Sequence, residues 1–204
     1  MRVLRVTAPL LVIAALAFAA SSAQADVCQP AGAKLLKSTS KATVYKLRSG
    51  DDRIYYGCLR SSGLQTHLAT QKGPGSYVEL VRLRGHFVAF KDNTGEREWI
   101  KAFNLATGRH VKRYPGPDGV PEDLVVGRSG RLAWMTFYKT RTLYWSSFTT
   151  PPHKLVSDGS RYGESCFGPW APPCIKPGSL HLTGRHHDRK IAWFDGKSRY
   201  FVIP

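Results

Sequence analysis

The chain has 204 residues, with 30 Lys and Arg against 14 Asp and Glu, and a formal charge of +16. Beyond the first 25 residues no stretch is long and apolar enough to cross a bilayer as a helix, which excludes a multi-span helical membrane protein. A charge of this size and sign favours polyanions as partners, but the basic residues are scattered along the chain, a pattern that reads as solvated surface.

The first element is a leader. MRVLRV supplies two arginines, APLLVIAALAFAA an uncharged apolar run, and SSAQA the small residues that a signal peptidase reads, with Ala23 and Ala25 as the A-x-A pair. The expectation is a signal peptide over 1–25 and a mature chain over 26–204, secreted or held in the cell envelope and without a membrane span. Of the total charge, Arg2 and Arg5 leave with the leader. An exported protein rarely meets nucleic acid, so a protein or an anionic envelope polymer is the expected partner.

From residue 34 the chain reads as short strands divided by turn residues. The first unit is AKLLKS, ATVYKL, RIYYGCLR and LQTHLAT; the second YVELVRL, HFVAFKD, EWIKAFNL and RHVKRYP. The third is EDLVVG, RLAWMTFY, RTLYWSSF and HKLVSD, and the fourth SLHLTG, KIAWFD and SRYFVIP. The separators (SGDD, SSG, KGPG, NTGE, ATG, GPDG, RSG, TTPP, DGKS) have the composition of tight turns. No window of a dozen residues sustains a 3.6-residue period, so almost no helix is expected.

The second strands align on Ala89, Ala133 and Ala192, with 44 residues between the first two and 59 between the next. The excess of about fifteen falls where an inserted loop, 160–177, interrupts the pattern. A fixed period of this size points to a repeat architecture, with repeats near 34–70, 77–115, 120–158 and 178–204 in a single domain. In HFVAF and RLAWMTFY both faces of the strand are apolar, although strand neighbours point in opposite directions. Burial on both faces arises when small antiparallel sheets stack radially, as in a β-propeller. The fold class expected is therefore all-β: a small propeller of about four blades, its ring closed or open, with a two-sheet sandwich as the alternative.

The unit GHFVAFKDNTGEREWIKAFNLATGR (85–109) resembles the blades of TolB-like and WD-repeat β-propellers. In those families a short turn of this kind joins the third and fourth strands of a blade. NLATG (104–108) matches it closely, SFTTP (147–151) and LRSSG (59–63) in outline. The resemblance implies a fold and not an activity, because propellers host many unrelated functions.

The four cysteines suit disulfides in an exported chain, and three pairings exist. Cys166 and Cys174 bracket CFGPWAPPC, whose three prolines and one glycine favour a closed short loop. Cys28 and Cys58 then pair by elimination, and their bond would pin an N-terminal strand that completes the last sheet. Neither pair has zinc-site spacing, so no metal is expected.

No catalytic signature emerges. G-x-S-x-G is absent, Ser38 and Lys41 match S-x-x-K by chance alone, and no Gly-rich phosphate loop leads into a helix. His186, His187 and Asp188 read as a hairpin tip, and Asp51, Asp52, Glu122 and Asp123 as turn-forming acids. The inserted loop is the candidate binding surface: Tyr162, Phe167 and Trp170 offer aromatic contacts, and the flanking Arg161 and Lys176 anion contacts. His86, inside the packing phrase LRGHFVAF (83–90), is assigned no functional part.

The sequence thus reads as an exported binding or scaffold propeller with no catalytic residue, metal or cofactor. It would recognise a protein or an anionic envelope polymer through one ring face and the 166–174 loop. The alternative is a hydrolase or lyase at the central channel, where Glu79, Arg82, Glu122 and His181 are the candidate groups on the first strands of the units.

Overall fold

A computed structural model describes residues 27–115, 119–138, 141–157, 178–183, 190–194 and 199–203. Among them are fifteen strands and no helix. Blade 1 is β1 (Lys34–Ser38), β2 (Ala42–Ser49), β3 (Asp52–Leu59) and β4 (Leu64–Gln71). Blade 2 is β5 (Tyr77–Arg84), β6 (Phe87–Asn93), β7 (Glu98–Asn104) and β8 (His110–Arg113). Blade 3 is β9 (Val120–Val126), β10 (Leu132–Phe137), β11 (Arg141–Ser146) and β12 (His153–Ser157). The three strands of blade 4 are β13 (His181–Thr183), β14 (Lys190–Phe194) and β15 (Arg199–Val202). Each blade is an antiparallel meander in chain order. The first strands meet one another from blade to blade, β1 with β5, β5 with β9 and β9 with β13. Sequential meanders whose first strands converge form a β-propeller.

The second strands show why the period exists. Along β6, Val88 and Phe90 enter the core shared with blade 1, while Phe87 and Ala89 enter the core shared with blade 3. Along β10, Leu132 and Trp134 face blade 2, and Ala133 and Met135 face blade 4. Each large side chain so buried contributes about 1.5–3 kcal/mol. A strand covered on both sides must be apolar throughout, which is the pattern HFVAF and RLAWMTF display.

The turns between third and fourth strands plug the gaps between blades. In NLATG, Asn104 Oδ1 accepts the Ala106 N–H at 3.0 Å and the Asn104 carbonyl accepts the Gly108 N–H at 2.9 Å. This tight turn drives Leu105, fully buried, into the core between blades 1 and 2. The equivalent Phe148 of SFTTP packs on Phe87 at 5.7 Å between ring centres. Blade 1 has Arg60 at this position, exposed, with its guanidinium donating to the Thr39 carbonyl and to Ser38 Oγ.

The face of blade 1 turned away from blade 2 is covered by the N-terminal segment. Cys28 and Cys58 form a disulfide with 5.3 Å between Cα atoms, and they are buried with Tyr45 against Ala33, Leu47 and Tyr56. Residues 27–33 form no strand, so among the described residues the bond pins a cap onto blade 1, and no strand before β1 is added to the last sheet. The expected leader, residues 1–25, lies outside the described residues, as does the expected Cys166–Cys174 pair.

Gly57 in β3 is buried where blade 2 comes closest: a Cβ there would lie 2.5 Å from Leu105 Cδ2. Leu105 is itself enclosed and has nowhere to swing. Gly57→Ala is therefore expected to cost about 1–3 kcal/mol in chemical denaturation. A neutral result would mean that the blade interface is loose at this point.

Candidate functional site

Antiparallel meanders place the first and third turns of every blade on one end of the propeller and the second turns and inter-blade links on the other. Among the described residues the first end is made of 39–41, 60–63, 85–86, 105–109, 127–131 and 147–152. These turns carry Lys41, Arg60, Arg109, Arg128 and Arg131, with Arg84 at the end of β5, and no Asp or Glu. The carboxylates gather at the other end: Asp51 and Asp52, Glu96 and Glu98, and Glu79 and Glu122 near the starts of β5 and β9. Basic residues remain at both ends; what the fold separates is the carboxylates, which are absent from the described first and third turns.

On that face Thr39, Ser40, Lys41, Arg84, Gly85, His86 and Arg128 line a groove of about 400 Å³. Three blades build it, and Thr39 Oγ1 ties two of them by donating to the Gly85 carbonyl at 2.8 Å. Gly85 holds φ at +62°, a conformation that glycine adopts without strain, and this lets the chain turn sharply at the groove wall. The His86 ring lies against Phe87 with 4.3 Å between ring centres. Burial, and secondarily the nearby Lys41 ammonium, pull its pKa below the ordinary imidazole value of 6.5. His86 is therefore neutral at pH 7, and folding disfavours its protonation. The stability it supplies is present above pH 6.5 and falls as the pH drops through the lowered folded-state value. The packing phrase does bury Phe87 and its neighbours, while its histidine lines the groove.

A second cavity, about 200 Å³, lies among the first strands of blades 2, 3 and 4, lined by Arg82, Leu83, Arg84, Val125, Val126, His181 and Leu182. Beside it is the buried carboxylate of Asp123, 2% exposed. Its Oδ1 accepts the Leu124 N–H at 2.8 Å and an Arg82 N–H at 3.3 Å, and its Oδ2 accepts the Leu180 N–H at 2.9 Å. One carboxylate therefore joins the first strands of blades 2 and 3 to the segment leading into β13. Asp123 is no turn-forming acid: it sits mid-strand, paired with Met135, beside a bulge that leaves Glu122 as the extra residue.

Of the four channel candidates, Arg82 and His181 line the same cavity, whereas both glutamates are engaged elsewhere. Glu79 pairs with Lys91 at 3.4 Å, and Lys91 also meets Glu98 at 3.0 Å. Glu122 pairs with Arg141 at 3.2 Å. Among the described residues no group of three or more His, Cys, Asp and Glu side chains is arranged to hold a metal ion. Arg161, Tyr162, Phe167, Trp170 and Lys176 of the inserted loop, and His186, His187 and Asp188, lie outside the described residues.

No family model matches the chain, and no curated protein matches it. Among solved structures it is similar to a chain of the nidogen/laminin complex, at 13% identity and a TM-score of 0.43, over 83% of this chain and 64% of that one. It is also similar to a chain from a structural and mechanistic study of two prolyl endopeptidases, at 13% identity and a TM-score of 0.47, over 85% of this chain and 28% of that one. The chain spans less than two thirds of the length of either.

Replacing Asp123 with alanine would strand two backbone donors and leave Arg82 without its carboxylate. The expected loss is about 3 kcal/mol or more in urea unfolding. A loss below about 1 kcal/mol would show that the blades do not depend on this carboxylate.

Proposed function

We propose that the protein is a non-enzymatic binding propeller that holds an anionic, phosphate-bearing polymer on the face built from its first and third turns. The single observation that supports this reading most is the distribution of charge: five Lys and Arg and no carboxylate on the described turns of that end, with Arg84 beside them and a groove across three blades. Exposed Lys41, Arg84 and Arg128 would meet phosphate oxygens, and the hydroxyl of Ser40 stands among them as a neutral donor. His86 would add a fourth cation as the pH falls below its lowered value, so binding should strengthen under mild acid.

Export to the cell envelope, in line with the leader-like N-terminus and the disulfide of blade 1, would bring the face to wall or surface polymers. The channel enzyme is the weaker reading. Glu79 and Glu122 are held in ion pairs apart from the cavity that Arg82 and His181 line, which leaves no carboxylate pair set for acid and base roles there among the described residues.

Retention on immobilised linear polyphosphate tests the proposal. Lys41→Gln, Arg84→Gln and Arg128→Gln together should weaken binding and lower the slope of log affinity against log salt by about 2. The control Arg48→Gln, Arg53→Gln and Arg97→Gln removes the same charge from the opposite end and should change the slope little. Equal losses in both triple variants would indicate attraction by net charge alone and no dedicated face.

A further inference from the structure

We infer that the cavity between the first strands of blades 2, 3 and 4 is a separate site for a small monocarboxylate with a short apolar chain. Its composition sets the ligand class. Arg82 and Arg84 bring two guanidinium groups to one space of about 200 Å³, and Leu83, Val125 and Leu182 supply apolar wall. A small open cleft with apolar wall and a few fixed polar groups suits a short ligand whose charged end stays near water.

Arg82 is fixed in place. It spends one N–H on Asp123 at 3.3 Å and one on the Val81 carbonyl at 3.4 Å, which leaves three of its five donors for other partners. Asp123 is in turn held by the Leu124 and Leu180 N–H groups, so the guanidinium stands against a rigid support. Charge then selects the valence. Two guanidiniums less the Asp123 carboxylate leave one net positive charge, suited to a monoanion, and the remaining glutamates of the region are paired with Lys91 and Arg141. His181 forms the wall on the blade 4 side, its Nδ1–H donated to the Ser179 carbonyl at 3.0 Å, which fixes the ring. The polymer face and this cavity share only Arg84, so the two sites can be tested apart.

The experiment titrates the full secreted protein with acetate, butanoate, 3-methylbutanoate and hexanoate, reading heat of binding and the ring signals of His181. Saturable binding is expected, tightening about fourfold for each added methylene until the cavity is full, as burial of a CH₂ implies. Val125→Phe, which fills the space, should abolish binding. Arg82→Met is the direct variant but removes the partner of Asp123; Arg84→Met tests the second guanidinium without touching that support. Affinity that ignores chain length, or that survives both Val125→Phe and Arg84→Met, would overturn the inference. Because polyphosphate retention is measured on the same variants, loss of one activity with the other intact tells which of the two sites has failed.

Discussion

The structure depends on the close stacking of sheets that are apolar on both sides. Each second strand divides its residues between two cores: Val88 and Phe90 one way, Phe87 and Ala89 the other. Such a strand has no wet face, so its blade is stable only between neighbours. Small residues make the approach possible, Gly57 and the central alanines among them, and the turn residues Leu105 and Phe148 fill what remains. At the N-terminal end the chain replaces a neighbour with a short cap, bonded through Cys28 to Cys58. That bond closes a loop of 30 residues, which would stabilise the fold by about 3.6 kcal/mol in the chain-entropy picture.

Stacking also decides where charge can go. The faces of the blades are consumed by packing, so charged side chains are displaced to the ends of the strands, the outer strands and the axis. At the axis the fold accepts one buried carboxylate and satisfies it with two backbone donors and a guanidinium. In blade 2 it accepts Lys91, nearly enclosed, between Glu98 and Glu79 and over the Tyr77 ring at 5.3 Å. These groups are structural, and each is matched in charge. The turns at the ends are under no such constraint, and there the two ends differ: one mixes signs, the other carries cations alone among its described turns.

Much of the fold was legible because turn chemistry and two-sided strands are local signals. The strands lie where Gly, Asn, Asp and Ser punctuate the chain, and the period of 44 between Ala89 and Ala133 marks equivalent positions in neighbouring blades. The candidate site was far less legible, because it is made by topology. Lys41, Arg84 and Arg128 are separated by more than forty residues at each step and meet only after three meanders align their first turns. Asp123 reads as a turn-forming acid for a different reason. A bulge places Glu122 out of register, so two adjacent acids meet opposite fates, one buried at the axis and one paired with Arg141 near the surface. Alternation along a strand does not foretell a bulge.

The central claim is that one end of the propeller is a dedicated surface for polyanions. It is tested most directly by mapping backbone amide shifts of the protein on addition of linear polyphosphate. The account predicts that the largest shifts fall on residues 39–41, 84–86 and 127–131, while the turns at 50–51 and 94–97 stay still. Shifts spread evenly over both ends, or concentrated on the second turns, would contradict it.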